Sequence, residues 1–234
     1  MCVQDSAVMA GKVYTKTGDW GHTGIGVTRI PKSHPIVGLM GTLDELSAHL
    51  GLCQAKLVES KMDNEPCCEI LRAAQTELYD MSGDIHKNLD ADKLSASSQQ
   101  SSGWWKFFYA PYCWVFPLQP AEVEQGHASR SAKTAARDSQ AVRTLESSMD
   151  KMSRTLPKLT RFIRPGGAVV VSEIHICRTV CRRAERAFFE AKEVYNMEWD
   201  RLVSQIVYLN RLSDYLFVLA RYVMSSLDLQ EEYF

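Results

Sequence analysis

The chain lacks most of the signals that mark a common function. Nowhere in its 234 residues is there an apolar run of about 20 residues, the length a bilayer-spanning helix needs, so no transmembrane segment is expected. There is no charge excess either. A formal net charge of −1 leaves no global field to attract nucleic acid or an anionic membrane, and neither is expected as a partner. The seven cysteines contain no C-x-x-C pair and no zinc-type spacing, which removes the usual thiol-redox and structural-zinc motifs. Strand patterns are scarce, the best being AVVV at 168–171. The opening MCVQDSAVMAGK has no arginine and no long apolar stretch, so it reads as neither a signal peptide nor a mitochondrial presequence. TGDWGHTGIG lacks the G-K-[ST] ending of a Walker A loop and does not match the Rossmann fingerprint.

What remains is helical. Hydrophobic residues make up 45% and charged residues 24%, a composition able to bury one sizeable core. Leu39, Leu43, Leu46, Leu50, Cys53 and Leu57 recur three and four apart and predict a first helix over about 36–59. Cys67, Leu71, Ala74, Leu78, Met81 and Ile85 predict a second, with Pro66 near its start. Val142, Leu145, Met149, Met152 and Leu156 predict a third, closed by Pro157. A fourth covers about 172–195 and a fifth about 200–228, the latter carrying Leu202, Ile206, Leu209, Leu216, Ala220, Val223 and Leu227. Five helices with one apolar stripe each predict an all-α, five-helix antiparallel bundle, in one domain over 1–234. Cys53, Cys177 and Cys181 fall on apolar stripes, as buried thiols in a reducing, intracellular compartment would.

Two regions lie outside this pattern. Residues 11–35 are rich in glycine, threonine and proline and read as an ordered N-terminal loop. Residues 93–140 run from SASSQQSSG through WWKFFYAPYCWVF to SRSAKTAARDSQ, an insertion whose aromatic centre is too short to span a bilayer.

Three constellations carry charge in unusual places. In KVYTKTGDWGHTGIGVTRIPK, backbone N–H groups together with Lys16 and Lys32 could wrap phosphates, and a surface turn is the alternative. In CRTVCRRAERAFF, Cys177, Cys181, Ala184 and Phe188 form an apolar stripe. Arg178, Arg182 and Glu185 run beside it, rotated by roughly 100°. A salt-bridged face from Arg182 to Glu185 is one reading. Two guanidiniums in a half-buried cleft also suit a polyphosphate. In YLNRLSDYLFVLARY, Asn210 and Asp214 share a face continued by Phe217 and Arg221 inside an apolar helix. Either these form an interhelical network, or Asn210 reaches a ligand while Asp214 orients an arginine. Phe162, before the Pro165-Gly166-Gly167 turn, could pack the loop or wall a flat ligand.

The segments YTKTGD, GTLDELSAHLG, LTRFIRPGG, CRTVCRRAER and LNRLSDYLFVLARY occur in the order found in PduO-type ATP:cob(I)alamin adenosyltransferases, and the chain resembles that family over about 12–92 and 141–225. The resemblance implies a five-helix bundle assembled as a homotrimer with active sites between subunits. It implies transfer of the 5′-deoxyadenosyl group of ATP, with Mg²⁺, to cob(I)alamin. Thr15, Lys16, Thr17 and Gly18, then Thr23, Gly24 and Lys32, match the family's ATP loop. Arg182, Arg183, Ala184, Glu185 and Arg186, with Asn210, match its ATP-contacting helix positions. Arg178 and Asp44 match a pair that meets across the subunit interface. Phe162 matches the aromatic that displaces the dimethylbenzimidazole ligand from the lower corrin face. Departures are Trp20 where lysine is common, Arg164 where an aliphatic is usual, a loop between Gly21 and Arg29 one residue shorter, and the 93–140 insertion.

The resemblance also implies a reductase that supplies cob(I)alamin and an adenosylcobalamin-dependent acceptor enzyme. The compartment it implies is the mitochondrial matrix in a eukaryote or the cytoplasm in a bacterium. An escort that binds corrinoid without efficient transfer, and a purely structural bundle whose insertion binds a protein partner, are the competing readings.

Overall fold

The computed structural model describes residues 14, 16–25, 28–60, 65–87, 139–195 and 199–234. Its elements are two short strands, β1 (His22–Ile25) and β2 (Thr28–Pro31), and five helices. The helices are α1 (Pro35–Glu59), α2 (Glu65–Lys87), α3 (Gln140–Ser153), α4 (Val169–Tyr195) and α5 (Trp199–Ser226). Thr15 and residues 93–138 of the insertion lie outside the described residues.

Among the described side chains most of each predicted stripe is buried, and Met149, Ile206 and Leu227 are partly buried against the core. Ile36, Leu39, Leu43, Leu46, Leu50, Cys53 and Leu57 form the inner face of α1, and α1 packs on both α2 and α4. Full burial of one such aliphatic side chain contributes about 1.5–3 kcal/mol. The helix starts cleanly because extended His34 caps it, its Nδ1 accepting from the Ile36 N–H at 3.2 Å, and Pro35 needs no N–H partner. Ser139 caps α3 in the same way, accepting from the Val142 N–H at 3.3 Å. A core of Cys177, Cys181, Ala184, Phe188, Leu209, Leu212, Tyr215 and Leu216 joins α4 to α5. Cys53 and Cys177 touch across α1 and α4 with sulfurs 3.2 Å apart, both free thiols. Their contact and burial push the Cys177 thiol far above the ordinary range, so it packs as an apolar group.

Three local readings are corrected. AVVV is not a strand: α4 begins at Val169, because Val170 and Val171 continue the buried helical stripe of Ile174 and Cys177. Burial outweighs the weak helix preference of β-branched residues. Leu156 is not in α3, which ends at Ser153; Thr155 turns back onto the Met152 carbonyl, and a residue before proline is pushed out of the helical region. The N-terminal segment is more than a loop. Its β1–β2 hairpin pairs His22 with Pro31, Thr23 with Ile30 and Gly24 with Arg29, and it buries Ile25 and Ile30 in the core.

Candidate active site

The polar stripe of α4 lies half-buried against α5. Glu185 accepts from Asn210 Nδ2 at 3.1 Å. Burial raises the Glu185 carboxyl above its ordinary range, opposed by the Asn210 bond and by Arg182. One turn earlier, Arg178 Nε is buried and has no hydrogen-bond partner among the described residues. Burial and the Arg182 charge both work against its protonated form. His175, also buried, is pushed down to about 4 by burial and then by Arg178, so it is neutral at neutral pH. Arg182 therefore acts on two carboxylates that burial makes reluctant to ionise, Glu185 and Asp214, while Arg178 lies beside a neutral imidazole. An anion entering here would meet charge that the chain itself leaves under-compensated.

The remaining positions of the stripe separate by helical phase. No ion pair joins Arg182 to Glu185 among the described residues. Arg183 turns to α1 and pairs with Glu45 on the surface. Ala184 is fully buried and supports the α4 core. Arg186 is exposed and donates to the Arg182 carbonyl at 3.2 Å. Asp214 pairs with Arg211, which lies 3.1 Å from Asp214 and 2.8 Å from Glu146. Arg211 was not visible as a positioning residue in the sequence, since its partner Glu146 is on a different helix.

The N-terminal loop is folded back over the hairpin. Lys16 has a left-handed backbone, φ 57°, and the Lys32 N–H bonds the Gly21 carbonyl at 2.8 Å. Arg29 grips the Thr17 carbonyl and also reaches the His22 carbonyl at 3.4 Å. Lys32 Nζ would stand 3.4 Å from a Cβ at Gly18, so the ammonium lies against that glycine. Lys16, Arg29 and Lys32 thus ring a short turn of exposed backbone. Arg29 was missed because its role is a tertiary contact to a carbonyl.

Thr23 and Gly24 line a cleft of about 470 Å³ between the hairpin, α1 and α2, together with Asp44, Gly41 and Tyr79. Asp44 is exposed there, and no ion pair joins it to Arg178 within the chain among the described residues. Within one chain Asp44 lines this cleft, while Arg178 lies on α4.

Phe162 sits on the loop between α3 and α4 with 41% of its surface exposed. Its carbonyl accepts from the Phe234 N–H at 3.1 Å, and Ile163 bridges to Tyr233.

These features define an all-helical bundle with a basic backbone loop, a cation-rich stripe on two adjacent helices and an exposed aromatic on the loop that leads into them. The family model for cobalamin adenosyltransferase matches residues 13–105 and 118–223. Corrinoid adenosyltransferase MMAB of Bos taurus is 34% identical over 212 residues, 90% of this chain and 70% of that protein. The corrinoid adenosyltransferase of Bacillus subtilis is 32% identical over 215 residues, 91% of this chain and 86% of that protein. A solved Phe-to-Ala variant of the PduO-type ATP:corrinoid adenosyltransferase from Lactobacillus reuteri, complexed with cobalamin and ATP, shares the fold. Its TM-score is 0.65 at 25% identity, covering 95% of this chain and 99% of that one. The chain belongs to the cobalamin adenosyltransferase family, a family of transferases.

Proposed function

We propose that the protein transfers the 5′-deoxyadenosyl group of ATP to cob(I)alamin, forming adenosylcobalamin and releasing triphosphate. The observation that carries this reading is Arg178: a buried guanidinium nitrogen without a partner, beside Arg182, in a chain of this family. In the reaction the electron pair of cobalt(I) forms a bond to C5′ of ATP. The C5′–oxygen bond breaks, and its electrons leave on the triphosphate. No side chain has to act as nucleophile. The protein's work is to align cobalt and C5′ and to stabilise a leaving group of high negative charge.

Arg182 and Arg186 on α4, with Asn210 on α5, are assigned to ATP. Arg183 and Ala184 belong to the same matched segment, Arg183 through its pairing with Glu45 and Ala184 through close packing. Glu185 orients Asn210 and takes charge from Arg182. Lys16, Thr17, Gly18 and Lys32, with Thr15, Thr23 and Gly24, form the loop that covers the phosphates. Asp214 acts through Arg211 as an orienting residue. Phe162 would lie against the lower corrin face, and emptying that cobalt position makes cob(II)alamin easier to reduce.

The separation of Asp44 from Arg178 supports an active site shared between copies, in a homotrimer where Asp44 of one copy meets Arg178 of the next. Among the described residues no three His, Cys, Asp or Glu side chains converge as a metal cage. Mg²⁺ bound with ATP would be held largely by the phosphates and water. When bound, the ion shares the phosphate charge.

Residues 1–234 are taken as one domain. The gap in the family match, 106–117, falls inside the 93–140 insertion. No helix among the described residues is long and apolar enough to cross a membrane. Among the described residues five cysteines are free and buried, which favours a reducing compartment, the matrix of a mitochondrion or the cytoplasm of a bacterium. A reductase would supply cob(I)alamin, and an adenosylcobalamin-dependent enzyme would take the product.

The test is optical: ATP and chemically reduced cobalamin should give the cobalt–carbon chromophore with release of triphosphate. Corrinoid binding with no ATP-dependent product would instead make the protein an escort.

A further inference from the structure

Arg221 is the charged residue of the α5 motif that the proposed chemistry does not use. It stands near the end of α5, and its side chain is only 10% exposed, as is that of Glu231. The pair is two-pronged: Arg221 Nε donates to Glu231 Oε1 at 2.6 Å and Nη2 to Oε2 at 3.3 Å. Arg221 Nη2 also donates to the Pro157 carbonyl at 2.8 Å, where the Phe162 loop begins. The Tyr233 hydroxyl donates to Glu231 Oε2 at 2.8 Å. One guanidinium therefore ties the start of the loop to the segment that follows α5.

That segment runs along the loop as a short antiparallel partner. The Arg164 N–H donates to the Glu232 carbonyl at 2.7 Å, and the Phe234 N–H donates to the Phe162 carbonyl at 3.1 Å. Two cation–π contacts flank this ladder, Arg161 over Tyr233 at 4.8 Å and Arg164 over Phe234 at 4.9 Å. The loop has little core of its own. Residues 158–162 are exposed, and Ile163 is its buried anchor. A loop with so few apolar contacts takes its position from what it is hydrogen-bonded to.

We propose that the Arg221–Glu231 pair positions Phe162: it seats residues 231–234 so that their backbone holds the 162–164 stretch in place. This rests on the reading of Phe162 as a corrin-facing residue. Arg221 and Glu231 are positioning residues that act through the ladder. Removing one partner of a largely buried charge pair is strongly destabilising, so the seat of residues 231–234 depends on both Arg221 and Glu231.

The test uses the full chain with Glu231→Gln, Arg221→Met and the double variant Arg221→Met/Glu231→Met, which leaves no unpaired charge should either single variant fail to fold. Amide hydrogen exchange reports the loop directly. Exchange over 157–168 should rise about tenfold, the loss of one charge-assisted contact, while α4 keeps its protection. Turnover with cobalamin should fall about tenfold, turnover with cobinamide (which has no lower ligand) should fall far less, and KM for ATP should stay within about twofold. Unchanged loop exchange overturns the proposal. So does faster exchange with no selective loss for cobalamin, provided Phe162→Ala shows that selectivity in parallel. If Phe162→Ala itself treats the two corrinoids alike, the corrin reading of Phe162 falls, and the positioning role for turnover falls with it.

Discussion

Asn210 on α5 donates to Glu185 on α4 at 3.1 Å, and this bond holds a carboxylate whose burial disfavours its ionised form. Because the folded carboxyl is raised above its unfolded value, ionising it costs folding free energy. That cost is absent where both states are protonated and grows as pH rises through the carboxylate range. Glu185→Gln should therefore raise the melting temperature of the ligand-free protein at neutral pH, with the gain vanishing in acid. ATP-dependent turnover should fall. A melting temperature that drops equally at all pH values would show that Glu185 is an ordinary structural partner.

His175 behaves in the opposite sense. Its folded value of about 4 lies below the ordinary histidine value of 6.5, so the unfolded chain binds the proton more readily. Stability from this group is complete above about 6.5 and is lost as pH falls toward 4, a loss approaching about 3 kcal/mol. His175→Gln should flatten the stability profile between those limits. Denaturant titrations at pH 7 and 4.5 measure it, and an unchanged slope would rule out this role.

Arg182→Ala should weaken ATP binding by about 1.5–3 kcal/mol, one charge-assisted contact. Helix stability should hardly change, since alanine is the better helix former. Calorimetric titration with ATP decides the matter, and wild-type affinity would remove Arg182 from the phosphate site.

Gly167 closes the Phe162 loop with φ 95°, and a Cβ there would lie 2.5 Å from Met224 Cε. Gly167→Ala should destabilise the protein by at least the left-handed penalty of about 1–2 kcal/mol. Adding Met224→Ala should relieve the collision but leave the backbone cost. Thermal melts of the single and double variants separate the two, and a neutral Gly167→Ala would contradict the geometry.

Replacing 95–138 with a short Gly/Ser linker should preserve folding, oligomeric state and transfer. α2 ends at Lys87 and α3 begins at Gln140, and their stripes are buried within the described bundle. Loop closure costs grow slowly with length, so a long insertion need not alter the bundle's stability much. A soluble variant of unchanged oligomeric state that binds neither ATP nor corrinoid would place the insertion in the active site.

The helices were legible because one periodicity specifies both the helix and its buried face. Leu39 to Leu57 is a repeat that a strand could not bury. The hairpin was not, since only Ile25 and Ile30 mark its inner face, and two residues make no pattern. Arg178 and Arg182 were legible as a half-buried stripe one turn apart, but the fate of Arg183 was not. One residue further round α4, Arg183 meets Glu45 of α1, a residue 138 positions away in the chain. The pairing of Ile163 with Tyr233 was hidden for the same reason: it links a loop and a terminal stretch that carry no common period.

The two half-sites of one chain, Asp44 in the cleft under the hairpin and Arg178 on α4, have a genetic consequence if they meet across copies as proposed. A chain damaged at Asp44 and another damaged at Arg178 would each be inactive when pure. In a mixed ring of three, one junction always joins an intact Asp44 to an intact Arg178. Two defective alleles expressed together would then yield partial activity, whereas two copies damaged at the same residue would yield none.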